Sequence, residues 1–140
     1  MFSKLETIKK GLMKNQKFLF TFIIVAAVSV FFFAQSKPEK NMSVEELKQA
    51  MKTDKNLLIL DVRTPGELTG NLGQIDGVVN IPVQELETRV KELDKYKGKK
   101  IAVICRSGNR SVPATNILLK NGHEAYNVPG GMIAWRNAGF

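Results

Sequence analysis

The sequence predicts an α/β domain built on an open, mainly parallel sheet of four or five strands flanked by helices, preceded by one N-terminal transmembrane helix. Three observations predict it. From Leu57 onward, short apolar runs alternate with helix-patterned segments. Two of those runs, Leu57-Leu58-Ile59-Leu60 and Ile101-Ala102-Val103-Ile104, are apolar without alternation, as strands buried on both faces are. Near the start, Phe18 to Ala34 reads FLFTFIIVAAVSVFFFA and carries no charge.

Residues 1–17 form a basic N-terminal segment with Lys4, Lys9, Lys10, Lys14 and Lys17, and Leu5, Ile8, Leu12 and Met13 fall on one side of a helix drawn through it. Residues 18–34 would span roughly 25 Å as a helix, the short end of what crosses a bilayer core. A soluble core helix rarely stays apolar on every face. The rival reading is a cleaved signal sequence. Phe32 spoils a cut after Ala34, and a cut at Ala27-Val28-Ser29 would leave Val30-Phe31-Phe32-Phe33 exposed, so an uncleaved anchor is favoured. No cysteine stands near the end of the segment to carry a lipid. Five lysines precede it, and Lys37, Lys40, Lys48 and Lys52 follow, which places the N-terminus in the cytoplasm and the domain on the extracytoplasmic, periplasmic side.

Residues 35–42, with Pro38, read as a linker, and residues 43–140 as the folded domain. Ser43-Val44-Glu45-Glu46 has the spacing of a capping box, and Leu47, Ala50 and Met51 give the following helix, of about ten residues, its apolar face. The first apolar strand comes next, then a short turn or helix at Pro65-Gly66-Glu67-Leu68. Gly73, Gly77 and Pro82 frame a short strand at Val78–Ile81. Gln84 to Leu93 reads as a helix with Leu86, Val90 and Leu93 inward. Lys97-Gly98-Lys99 turns the chain into the second apolar strand. Ser111 to Lys120 is a helix with Ala114, Ile117 and Leu118 inward, ending at Asn121-Gly122. A last strand covers Glu124 to Val128, and Pro129-Gly130-Gly131 leads to a helix holding Met132, Ile133 and Trp135, with Met132 and Trp135 as core.

Composition narrows the function. The net charge is +8, but residues 1–40 hold 7 Lys and only 2 Glu, so most of the basic character lies outside the domain. No dense basic stripe with interleaved aromatics appears in the domain, and no nucleic-acid partner is expected. The chain has one cysteine and one histidine, which leaves no internal disulfide and no cysteine-cluster metal site; neither metal nor cofactor is expected.

That cysteine carries the chemistry. Cys105 directly follows the second apolar run, Ser111 opens the next helix, and Asp61 ends the first run. In open parallel sheets, sites lie beyond the C-terminal ends of the strands. Six residues, Cys105-Arg106-Ser107-Gly108-Asn109-Arg110, must fold back before the helix begins, and Gly108 permits a positive φ. Backbone N–H groups, the helix start and the charges of Arg106 and Arg110 would favour thiolate over thiol and attract an anionic substrate. His123, beyond the following helix, is placed to be a surface or edge residue rather than a base for a Cys–His hydrolase. A cysteine phosphatase would need Cys-x5-Arg; here the spacing is Cys-x4-Arg, a tighter cradle that suits a polarizable sulfane sulfur better than a phosphoryl group.

The chain from about Asn41 to Phe140 resembles the single-domain rhodaneses, a family of sulfurtransferases. Four segments carry the resemblance in order: Asp61-Val62-Arg63-Thr64-Pro65-Gly66-Glu67, Gly73-Gln74-Ile75-Asp76-Gly77-Val78-Val79-Asn80-Ile81-Pro82, Cys105-Arg106-Ser107-Gly108-Asn109-Arg110-Ser111, and Gly130-Gly131-Met132-Ile133-Ala134-Trp135. It departs at Gln74, where many members have histidine, and at Val78, where alanine is common. The resemblance implies a rhodanese-like fold and a double displacement. The Cys105 thiolate would take the outer sulfur of a small anionic donor such as thiosulfate, hold it as a persulfide, and yield it to cyanide or a thiol. Arg106 and Arg110 would bind donor and stabilise the thiolate, with Ser107, Gly108, Asn109 and Ser111 supplying loop backbone. Arg110 has an equal alternative, a structural pairing with Asp61 or Glu67. Asp61, Arg63 and Glu67 read as braces of the turn after the first strand, with Arg63 and Glu67 as an ion pair. Asn80 would bond backbone near the loop, and Lys91, Lys95, Lys97, Lys99 and Lys100 form a solvated face. A second reading is a membrane-tethered binding or sulfur-relay module, serving a sulfur-accepting protein with little turnover of free substrate.

Overall fold

The computed structural model describes residues 40–140. The basic segment 1–17, the apolar segment 18–34 and most of the linker lie outside the described residues. Among the described residues, no helix is long and apolar enough to cross a membrane.

Four strands form one all-parallel sheet: β1 (Leu57–Asp61), β2 (Val79–Asn80), β3 (Lys100–Ile104) and β4 (Glu124–Asn127), in the order β2-β1-β3-β4. The helices are α1 (Val44–Thr53), the single-turn α2 (Pro65–Leu68), α3 (Val83–Arg89), α4 (Ser111–Lys120) and α5 (Gly131–Asn137). The continuous apolar runs are the two central strands, as double-sided burial requires. Alternate residues feed two separate cores. Leu58, Leu60, Ile101 and Val103 pack with Leu86, Leu93, Ala114 and Leu118 on one face; Ile59, Ala102 and Ile104 pack with Leu47, Met132 and Trp135 on the other. Thus α3 and α4 cover one face, and α1 and α5 the other.

The capping box at the start of α1 is present: Ser43 Oγ accepts from Glu46 N at 3.1 Å, and Glu46 Oε2 accepts from Ser43 N at 2.7 Å. Two elements differ from expectation. The β2 strand is only two residues long. The helix expected over Gln84 to Leu93 is α only to Arg89 and then tightens to a 3-10 helix over Val90–Tyr96. In that stretch the inward residues are Val90, Leu93 and Tyr96, spaced by three, and a helix of three residues per turn aligns them on one side.

The strand order positions the site. From β1 the chain crosses to β2 on one side, and from β3 it crosses to β4 on the other. The crevice at such a reversal opens beyond the C-terminal ends of β1 and β3. Asp61, the last residue of β1, is in register with Ile104, the last of β3, and Cys105 comes next.

Candidate active site

Cys105 leaves β3 with its thiol 1 % exposed, and the chain curls round it before α4 begins at Ser111. Gly108 N–H donates to Sγ at 3.1 Å, and Ser111 Oγ lies 3.6 Å from Sγ. The curl depends on glycine at two points. Gly108 takes φ +94°, and a Cβ there would stand 2.8 Å from Gly130 N. At Gly131, with φ +54°, a Cβ would run into the Cys105 carbonyl oxygen. That close approach lets the first turn of α5 hold the loop. Met132 N–H donates to Cys105 O at 2.8 Å and Ile133 N–H to Arg106 O at 3.0 Å, so amides that would be orphaned at a helix start are satisfied.

Burial alone would push the Cys105 thiol up. The Ser111 hydroxyl and the N–H groups of Ser111, Ser107 and Arg110 outweigh it, and the thiol lies below its ordinary value. Of the stabilising influences expected, the hydrogen bonds of the loop lead. The Arg110 guanidinium acts on the sulfur only through space, because it is committed elsewhere. It makes a bidentate pair with Glu67, Nη1 to Oε2 and Nη2 to Oε1, both at 2.7 Å. Arg110 holds the Glu67 carboxyl down to about 2, and Glu67 in turn raises Arg110. Of the two roles open to Arg110, the pairing with Glu67 is the one observed.

The expected Arg63–Glu67 ion pair is not formed. Arg63, 1 % exposed, binds the fully buried Asp61 through Nε at 3.0 Å and Nη2 at 2.6 Å. It reaches Glu67 only at its backbone oxygen, 3.3 Å away, and also donates to Gly73 O at 2.8 Å. The reason is local: the Glu67 carboxylate turns back to accept from Thr64 N at 3.2 Å at the start of α2, and so faces Arg110. The Thr-x-x-Glu spacing was the signal in the sequence for that turn-back. Asn80 Nδ2 donates to Asp61 O and Arg63 O, both at 2.8 Å, so it braces the turn after β1 and not the cysteine loop itself. Arg106, Ser107 and Asn109 are exposed on the loop, and Arg106 makes no ion pair among the described residues.

His123 stands beside an edge strand and away from Cys105, as expected, but it is buried rather than on the surface. It is 5 % exposed, just before the edge strand β4 and at the opposite end of the strands from Cys105, and its Nε2 stands 3.8 Å from Asp94 Oδ1. Packing between the end of α4 and the 3-10 helix buries it, and that burial lowers its pKa.

One feature escaped the sequence reading. Beside the cysteine loop, Arg63, Glu67, Gly70, Asn71, Leu72 and Arg106 line a cleft of about 200 Å³. Its outer wall is tied to α5 by Arg136, whose Nε donates to Leu72 O at 2.7 Å and Nη2 to Gln74 O at 3.3 Å. An apolar Leu72 set among Gly70, Asn71 and Gly73 was the only trace of it in the sequence.

Comparison with known proteins agrees with this geometry. The model of the rhodanese-like domain matches residues 43–138. A sulfurtransferase of Allochromatium vinosum is 32% identical over 97 residues, covering 69% of this chain and 87% of the relative. An adenylyltransferase and sulfurtransferase of Arabidopsis thaliana is 30% identical over 112 residues, 69% of this chain but 24% of that longer protein. The crystal structure of a rhodanese-related protein from Thermoplasma volcanium superimposes with a TM-score of 0.65 at 36% identity, over 72% of this chain and 94% of the other. With four parallel strands, a cysteine loop at the chain reversal and a matched span covering most of its length, this chain belongs to the rhodanese-like domain family.

Proposed function

We propose that the chain is a membrane-anchored sulfurtransferase that moves a sulfane sulfur from a small anionic donor such as thiosulfate to cyanide or a thiol, through a persulfide on Cys105. The observation that carries this is the sulfur itself: the chain's one thiol, held toward thiolate by loop N–H groups, in a cradle one residue tighter than Cys-x5-Arg. The thiolate attacks the outer sulfur of the donor; an S–S bond forms on Sγ, the donor's S–S bond breaks, and sulfite leaves with the electron pair. The acceptor then attacks the terminal sulfur and Cys105 leaves as thiolate. No second cysteine exists to resolve the persulfide internally, so the sulfur must pass to an external acceptor. Arg106, exposed and without an ion pair among the described residues, meets the anionic donor, while Arg110 fixes the loop through Glu67. Residues 18–34 anchor the chain, and the domain faces the extracytoplasmic side.

A Bacillus subtilis relative, 41% identical over 103 residues, is named a sulfur carrier protein, and this favours a second reading, sulfur relay to a protein partner. A thiosulfate:cyanide assay on the full chain in detergent, with Cys105→Ser alongside, separates the two. Thiocyanate well above the variant's background is expected. Background-level thiocyanate overturns turnover of free substrate, and phosphate release from an aryl phosphate ester would point to a phosphatase instead.

A further inference from the structure

Ser111 is fully buried at the first turn of α4. Its Oγ lies 2.9 Å from the carbonyl oxygen of Gly108 and 3.6 Å from Cys105 Sγ. A serine hydroxyl has one proton to donate. A carbonyl oxygen can only accept, so while that proton lies on Gly108 O the contact with sulfur must run the other way, from S–H to Oγ. A thiolate has no proton to offer. Gly108 O and the sulfur anion then compete for the same Ser111 proton, and the charged acceptor makes the stronger bond. The charged groups of the surroundings are Arg106 in the loop, Arg110 with Glu67 locked onto it from α2, and the Asp61–Arg63 pair from β1; the first turn of α5 brings none. None of their charged side chains hydrogen-bonds to Sγ; its nearest partners are Gly108 N–H and the Ser111 hydroxyl, with the other loop N–H groups adding to them.

We propose that the Ser111 hydroxyl is a proton switch that follows the charge of the sulfur, a role that rests on the sulfurtransferase reading. On ionisation the S–H bond breaks, the proton leaves to water and the electron pair stays on Sγ. Ser111 remains neutral and turns its O–H from Gly108 O to Sγ. When the thiolate attacks, that pair becomes the new S–S bond, Sγ loses its charge, and the Ser111 proton returns to Gly108 O. When the acceptor removes the outer sulfur, the departing thiolate is met by the same proton. One hydroxyl thus favours Cys105 both as nucleophile and as leaving group.

The test is the pH profile of Cys105 alkylation by iodoacetamide in the full chain in detergent, wild type against Ser111→Ala, with Trp135 fluorescence reporting the fold. The wild-type midpoint should lie below that of an ordinary thiol, about 8.5. Ser111→Ala should raise it by about one unit, slowing alkylation about tenfold at pH values well below the midpoint, and should lower kcat for thiocyanate formation while leaving KM near its wild-type value. A merely structural hydroxyl, there to hold Gly108 O, would lower the unfolding midpoint and leave the alkylation profile unmoved; that result overturns the proposal. The wild type also gives a check that needs no variant. Below the midpoint, its S–H infrared band should be shifted down from that of a free thiol by donation to Oγ, and a free-thiol band contradicts the switch. Alkylation uses no sulfur donor, so missing thiocyanate activity with a Ser111-dependent alkylation profile would count against the sulfurtransferase reading alone.

Discussion

Glu67 and Arg110 meet across 43 residues of chain and join α2 to the end of the cysteine loop. Both side chains are about 30 % exposed, so solvent screens the pair and its contribution is on the order of 1 kcal/mol. Its pH dependence has a definite sign. Arg110 holds the Glu67 carboxyl down to about 2 in the folded chain, against 4.5 when free. A depressed carboxyl stabilises the fold in full above about 4.5 and loses that contribution as pH falls toward about 2. Glu67→Gln should therefore cost stability at pH 6, and the difference from wild type should shrink toward zero as pH approaches 2. Urea unfolding followed by Trp135 fluorescence at pH 6, 4 and 2.5 checks it; a constant difference across that range would contradict it.

At the scale of elements, the turn after β1 hangs on the buried Asp61–Arg63 pair. Arg63 also holds Gly73 O and Asn80 holds Arg63 O, so three segments converge there. Removing one partner strands a charge without water: Arg63→Met should destabilise the fold by about 3–5 kcal/mol. Adding Asp61→Asn should recover part of that, since the stranded charge is gone. A urea midpoint for Arg63→Met within error of wild type would refute the brace. What was legible here and what was not divides by sequence distance. The continuous apolar runs of β1 and β3, the capping box of α1 and the limits of α4 follow from neighbouring residues, and their periodicity can be read directly. The partner of Arg63 could not be read, because Glu67 is claimed first by the start of its own helix and then by Arg110 from beyond β3. The switch to a 3-10 helix at Val90 was hidden because apolar residues at 86, 90 and 93 suit an α-helix as well; only Tyr96 at the next step of three tips the pattern. The cleft was unreadable for a similar reason: its walls come from the turn after β1 and the loop after β3, closed by Arg136 of α5.

For the whole molecule, a lysine-flanked apolar segment precedes in sequence a domain whose site opens beyond the C-terminal ends of its central strands. The proposed anchor makes a direct prediction. The full chain should stay in the membrane pellet through an alkaline carbonate wash, and deleting residues 18–34 should move it to the supernatant. In intact spheroplasts, added protease should reach the domain if it faces outward. Full-length chain recovered in the wash, or a domain protected until lysis, would remove the anchor or reverse its orientation, respectively. Neither outcome bears on the fold of residues 40–140 or on the loop around Cys105.

In the proposed reaction, sulfur travels on Cys105. The most direct measurement is the intact mass of the full chain after brief exposure to thiosulfate. Addition of one sulfur atom is expected, localised to the Cys105 peptide, absent in Cys105→Ser and removed by cyanide with an equal yield of thiocyanate. An unchanged mass for the folded wild type, or the same gain in Cys105→Ser, would contradict it.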